Sequence, residues 1–181
     1  MWPFSHLFPR MVQMNSTLVL DANHFASDAH RGQFRRYTRD PYIVHPEAVA
    51  RWVGMVTDDP ETIAAAWLHD VLEDTAVNLQ EIKVKFGDVV AGLVLDVTNV
   101  ATCGNRAYRK SMERAHLRQA DPRAKTIKLA DILDNVPSII RYDPNFAKIY
   151  VAEKRLLLGG LWGGHEYLWY CVDKMLENYG R

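Results

Sequence analysis

Residues 60–75 read PETIAAAWLHDVLEDT, a stretch that asks an apolar helix to carry four ionisable side chains within the six positions 69–74. At about 100° per residue, Ile63, Ala64, Ala65, Ala66, Trp67, Leu68, Val71 and Leu72 point in nearly every direction, the pattern of a helix enclosed on most sides. The same periodicity predicts that His69, Asp70, Glu73 and Asp74 share one sector of that helix. Buried carboxylates are costly unless compensated, and two compensations are open at this stage. One is a divalent cation taking a nitrogen from His69 and an oxygen from Asp70, with Glu73 and Asp74 beside it as base and orienter. The other is a set of ion pairs to Arg or Lys from elsewhere in the chain.

Outward from this stretch the chain is predicted to be all-α, a single helical bundle. Asp59-Pro60, Asp121-Pro122 and Asp143-Pro144 each stand where helical periodicity begins. In each, Asp supplies the N-cap acceptor, and Pro occupies the first turn, where its missing N–H is no loss. Helices are expected over 16–30, 46–55, 79–86 (ended by Gly87), 89–100, 105–119, 122–142 (kinked or stopped near Pro137), 144–158 and 165–179. The basic stretch RGQFRRYTRDPY, 31–42, is a loop, with Asp40-Pro41 in an extended link, and the glycine doublets at 159–160 and 163–164 bracket another. Pro3 and Pro9 break the opening residues, so 1–16 is expected to be an irregular N-terminal arm and 17–181 the one domain.

The composition, 48% hydrophobic and 24% charged over 181 residues, is that of a soluble globular domain with a sizeable core. Twenty-two basic residues balance 22 acidic ones, so no overall field grips nucleic acid and any phosphate binding is local. Cys103 and Cys171 lack the spacing of a disulfide framework or thiolate zinc site, which fits a cytoplasmic protein. No run is apolar enough to span a membrane, and the N-terminus lacks the pattern of a signal peptide. No G-x-x-x-x-G-K-[ST] loop is present, which argues against ATP-driven chemistry.

Two more residues share the oddity of the central stretch. His45 stands at a helix start in PYIVHPEAVA, beside Tyr42, Ile43 and Val44, which read as buried. Asp131 is embedded in IKLADILDN among Ile127, Leu129, Ala130, Ile132 and Leu133. Taken singly, His45 reads as a capping or core histidine and Asp131 as the partner of Lys128. Together, His45, His69, Asp70 and Asp131 form a two-His, two-Asp set suited to Mn²⁺, Fe²⁺ or Zn²⁺, with positions left for water and substrate. Asn135 lies one turn after Asp131 on the same face. Arg31, Arg35, Arg36 and Arg39 are near enough in sequence to His45 to put guanidinium groups at the mouth of the site, where they would pair with phosphate oxygens.

At these residues the chain resembles a known family. His45, the His69-Asp70 doublet and Asp131 look like the H...HD...D signature of the HD phosphohydrolases. More narrowly, AHRGQFRR, PYIVHPEAVA, AAAWLHDVLEDT, FGDVVAGLVLDVT and IKLADILDN, in this order, resemble the hydrolase domain of RelA/SpoT-type proteins and the stand-alone small alarmone hydrolases. The resemblance implies an all-α HD domain and Mn²⁺-dependent removal of the 3′-pyrophosphate from guanosine tetra- and pentaphosphate. It implies that His45, His69, Asp70 and Asp131 hold the metal, and that Glu73 and Asp74 activate and orient the attacking water. It also places Arg35, Arg36, Asn135 and Lys128 against the nucleotide. Too few residues follow the hydrolase-like region for synthetase and regulatory domains, so a hydrolase alone is expected.

The chain also departs from the family. Its usual Ala-Asp-Arg-Leu-His-Asn stands here as Ala130, Asp131, Ile132, Leu133, Asp134 and Asn135, and RRYTRD before PYIVHP lacks the common glycine. Rival expectations are an HD hydrolase of another phosphorylated nucleotide, an adenosine alarmone or NADPH, and a non-catalytic alarmone binder or antitoxin. Oligomeric state is not legible in the sequence.

Overall fold

The computed structural model describes residues 16–99, 101 and 103–179; the expected N-terminal arm, apart from Ser16, lies outside them. Among the described residues the chain is helical throughout: α1 (Thr17–Ala29), α2 (Val44–Gly54), α3 (Pro60–Leu68), α4 (Val71–Asp74), α5 (Leu79–Val97), α6 (Arg106–Gln119), α7 (Pro122–Tyr142), α8 (Pro144–Leu158) and α9 (Glu166–Asn178). One isolated antiparallel bridge, Phe34 to Pro41, tightens the basic loop. The caps are those the sequence predicts. Asp59 accepts from the N–H groups of Glu61 and Thr62, Asp121 from Arg123 and Asp143 from Phe146, each with proline in the first turn. Asn78 and Glu81 form a reciprocal capping box at the start of α5.

Several expectations are corrected. The stretch 60–75 is not one helix: α3 stops at Leu68, and a single turn, α4, resumes at Val71. At the junction the His69 side chain engages the Ala66 carbonyl and Asp70 opens to φ −98°, ψ −5°. The four ionisable residues therefore do not share one helical sector. Helix α2 begins at Val44, before Pro46, and Val44 is exposed on its outer face. Gly87, at φ +87° and ψ 171°, leaves helical geometry as expected and separates the two helical runs joined in α5, the second of which ends at Val97 rather than at residue 100, which lies outside the described residues. Helix α7 continues through Pro137, which is exposed. The expected loop at Gly159 opens with a 3₁₀ turn, Gly159–Leu161.

Helices α3 and α7 form the centre. Helix α3 packs against α1, α2, α5 and α7, and α7 also meets α8 and α9. Residues 62–69 and 124–133 are buried without interruption. Ala64, Ala65 and Ala66 are fully enclosed and small enough for neighbouring helices to approach, while Ile63, Leu68, Ile127, Leu129 and Ile132 supply the volume. Removing such a side chain costs about 2–5 kcal/mol, because the surrounding packing only partly collapses into the gap. The two helices most enclosed by the fold are thus the ones that deliver His69, Asp70 and Asp131. Helix α9 seals the far side through Leu168, Val172 and Leu176; Trp169 packs on the core, whereas Tyr167 and Tyr170 remain exposed.

Candidate metal centre

His45 and His69 face each other between α2 and the end of α3, each held through Nδ1. The Nδ1 of His69 lies 2.8 Å from the Ala66 carbonyl, which can only accept, so Nδ1 carries the hydrogen and Nε2 keeps a lone pair. The Nδ1 of His45 lies 2.5 Å from Asp134 Oδ2, and a carboxylate fixes the same tautomer there. The two Nε2 atoms are 3.2 Å apart. Asp70 Oδ2 stands 3.2 Å from the Nε2 of His69 and 3.4 Å from that of His45, and Asp131 Oδ1 lies 3.4 Å from the His45 Nε2. Donor atoms of His45, His69 and Asp131 all fall within 4.8 Å of one another.

Two lone pairs pointed at each other repel unless something positive lies between them, and two carboxylates on the same volume add to that demand. Donors held about 2.1 Å from a common centre, at angles between about 90° and 110°, stand about 3.0–3.4 Å apart, which matches these separations. The donor set, two imidazoles and two carboxylates, fits a divalent cation.

The electrostatics point the same way. Burial raises the Asp70 carboxyl, but the charge and hydrogen bonds of His69 and His45 outweigh it and hold the group well below the usual carboxylate range. Burial likewise raises Asp131, and the Lys128 ammonium with His45 reverses the effect. His45 is lowered by burial and raised further by its bonds to Asp131, Asp134 and Asp70, with a net rise. The surrounding carboxylates thus favour positive charge at His45.

The remaining predicted residues are distributed unequally. Asp74 is at the site: the Tyr42 hydroxyl donates to Asp70 Oδ2 at 2.6 Å and lies 3.0 Å from Asp74 Oδ2, while Gln33 Nε2 donates to the Asp74 carbonyl at 2.7 Å. Burial, followed by the Asp70 charge, raises the Asp74 carboxyl, against the Tyr42 hydrogen bond and the charges of His30 and His69. Glu73 instead turns outward, accepting from the Asn99 backbone N–H at 2.8 Å and its side-chain amide at 2.7 Å. Lys128 donates to Asp131 Oδ2 at 2.8 Å within the core. Asn135 Nδ2 donates to Asp131 Oδ1 at 2.5 Å.

Of the four arginines, Arg35 comes to this face, donating to Asp134 at 3.1 Å and Asn135 at 3.2 Å. Arg36 is exposed, its guanidinium 5.2 Å from the Tyr37 ring. Arg31 pairs with Asp28, and Arg39 sits exposed at φ +65°.

Sequence reasoning missed Tyr42, Gln33 and Asp134 as parts of this site. Tyr42 and Asp134 each left a trace: a tyrosine three residues before His45, and an acid where the family motif carries histidine. A second buried charge cluster adjoins Lys128, whose ammonium burial lowers but Asp131, Glu113 and Glu73 raise, with a net rise. In that cluster Glu113 pairs with Lys110 and lies 3.7 Å from Lys154 Nζ.

Comparison with known proteins places these residues in context. A family model described as HD domain matches residues 22–154. A guanosine-3′,5′-bis(diphosphate) 3′-pyrophosphohydrolase of Xenopus tropicalis is 37% identical over 134 residues, covering 72% of this chain and 74% of that protein. An enzyme of the same name from Aquifex aeolicus is 41% identical over 120 residues, 65% of this chain but 17% of that much longer protein. Among solved structures, one described as a metazoan ortholog of SpoT that hydrolyses ppGpp superimposes with a TM-score of 0.83 at 28% identity, covering 91% of this chain and 97% of that one. No helix among the described residues is long and apolar enough to cross a membrane.

Proposed function

Since this chain belongs to the HD-domain family, we propose that it is a metal-dependent guanosine-3′,5′-bis(diphosphate) 3′-pyrophosphohydrolase that releases GDP, or GTP from the pentaphosphate, and pyrophosphate. The observation that supports this reading is that donor atoms of His45, His69 and Asp131 lie within 4.8 Å of one another, with Asp70 beside both histidines, in a chain whose relatives bear that name along most of its length.

His45, His69, Asp70 and Asp131 would hold the cation. Manganese(II) is the ion proposed, because a mixed nitrogen and oxygen set with room for water suits it. Such an ion, when bound, lowers the pKa of nearby water and draws charge from phosphoryl oxygens. The chain's own residues supply the rest. Asp74 stands beside Asp70 with a carboxyl raised by burial and by the Asp70 charge, and is the group proposed to take the proton of the attacking water. Tyr42 holds that carboxylate in place. Glu73, steadied by Asn99, is proposed to orient the water by turning inward when substrate is bound. Arg35, with Arg36 on the same loop, is proposed to offer guanidinium groups to phosphate oxygens, and Asn135 and Lys128, both bonded to Asp131, to meet the nucleotide beside it.

Incubation with Mn²⁺ and a panel of guanosine alarmones, adenosine alarmones and NADPH tests the substrate. Pyrophosphate released from the guanosine alarmone is the expected result; orthophosphate from it, or turnover of NADPH alone, rejects the proposal. Glu73→Ala and Asp74→Asn separate enzyme from binder, since each should lose turnover while the protein stays folded.

A further inference from the structure

The polar contacts around Asp134 form a closed circuit. Asp134 Oδ2 takes His45 Nδ1 at 2.5 Å and Arg35 at 3.1 Å, Arg35 also reaches Asn135 Oδ1 at 3.2 Å, Asn135 Nδ2 reaches Asp131 Oδ1 at 2.5 Å, and that oxygen lies 3.4 Å from His45 Nε2. The basic loop and α2, which follows it, are thereby joined to the distant α7 at the ring of a metal-binding candidate.

Asp134 does for His45 what the Ala66 carbonyl does for His69. It fixes the tautomer and the ring plane, so that Nε2 keeps its lone pair toward the other donors. A carboxylate does more than a carbonyl, because its negative charge makes the opposite ring nitrogen a stronger donor. Arg35 also donates to Asp134 and ties it to the basic loop. A cationic imidazole, as the family motif's histidine can be, could not accept from His45 Nδ1–H and hold a guanidinium at once.

We infer that Asp134 is a positioning residue which, through His45, sets the affinity of this site for its divalent cation. The inference rests on the metal-centred reading above and concerns a residue that reading did not use. Outer partners of metal-bound histidines typically contribute about 10- to 100-fold in affinity.

Electron paramagnetic resonance of unbound Mn²⁺ in titrations of the full chain tests it, with circular dichroism as the folding control. Asp134→Leu, which fills the space without an acceptor, should weaken Mn²⁺ binding by about 10- to 100-fold. Asp134→Asn keeps an acceptor but loses the charge; it should give a smaller, clearly measurable loss, and carries the test if the leucine variant does not fold. Arg35→Met loosens the basic loop but spares the His45 bond, so its affinity should stay near that of the parent. Parental affinity in both Asp134 variants overturns the inference, as does a loss in Arg35→Met equal to that in Asp134→Leu. A parent chain that takes up no Mn²⁺ refutes the metal-centred reading itself.

Discussion

Replacing Lys154 by methionine should stabilise the protein at neutral pH, although it removes one partner of a buried ion pair. Lys154 is 4% exposed, with its ammonium 3.7 Å from Glu113 and 4.9 Å from the centre of the Tyr150 ring. Burial and the Lys128 charge push its pKa down to about 8 from 10.5, against the attraction of Glu113 and Asp131. The charged form is therefore less favourable in the folded protein than in the unfolded chain by about 3 kcal/mol, at 1.36 kcal/mol per pH unit. The sign is fixed by proton counting. Below pH 8 both states hold the proton and the full penalty applies; between pH 8 and 10.5 the unfolded chain binds more protons, so stability rises with pH. Methionine mimics the neutral lysine at similar length, so Lys154→Met should gain up to about 3 kcal/mol at pH 7, or roughly 5–10 °C in Tm for a chain of this size. Glu113 would lose its largest attraction, that of Lys154, which offsets part of the gain, but Lys128 and Lys110 would still hold it. Urea unfolding of parent and variant at intervals from pH 7 to 10.5 measures the gap between them, which should close as the pH rises. A variant less stable than the parent at pH 7, or a gap that does not change with pH, would refute the reasoning, because either would mean that attraction to Glu113 outweighs burial.

Three further outcomes follow from the same structure. Tyr42→Phe removes the hydroxyl that ties Asp74 to Asp70 and should lower kcat about tenfold or more while leaving the fold intact, as read by steady-state kinetics and circular dichroism. Removing divalent ions with a chelator should abolish turnover and lower Tm, and Mn²⁺ should restore both, since a ligand bound only by the folded state stabilises it by mass action. A methyl group added at Gly164 would lie 3.0 Å from Leu129 Cδ1 and 3.1 Å from Lys125 Cβ, so Gly164→Ala should cost about 1–3 kcal/mol in thermal or chemical unfolding.

The bends and helix ends show where local chemistry suffices. Asp59, Asp121 and Asp143 cap the helices they precede because each bond spans only a few residues, and Gly87 bends the chain because its positive φ suits glycine. The central stretch shows where periodicity fails. His69 takes the Ala66 carbonyl with its own side chain and Asp70 is engaged by Tyr42, so the helix opens just where the pattern predicted continuity. Glu73 then leaves the sector that helical geometry assigns it and finds Asn99 instead.

Sequence by itself determined the all-helical architecture, most helix boundaries and the proximity of an acid and a histidine at 69–70, because propensity, capping and hydrophobic period act over short distances along the chain. Only the tertiary structure decided which groups meet: Tyr42 with Asp70 across 28 residues, His45 with Asp134 across 89, and Arg35 with Asp134 across 99. Such pairs depend on how α2, α4, α7 and the basic loop pack, and no spacing in the sequence encodes that directly. The partners of a buried charge are chosen by the fold, since the cost of leaving it unpaired falls on whatever the packing brings within reach.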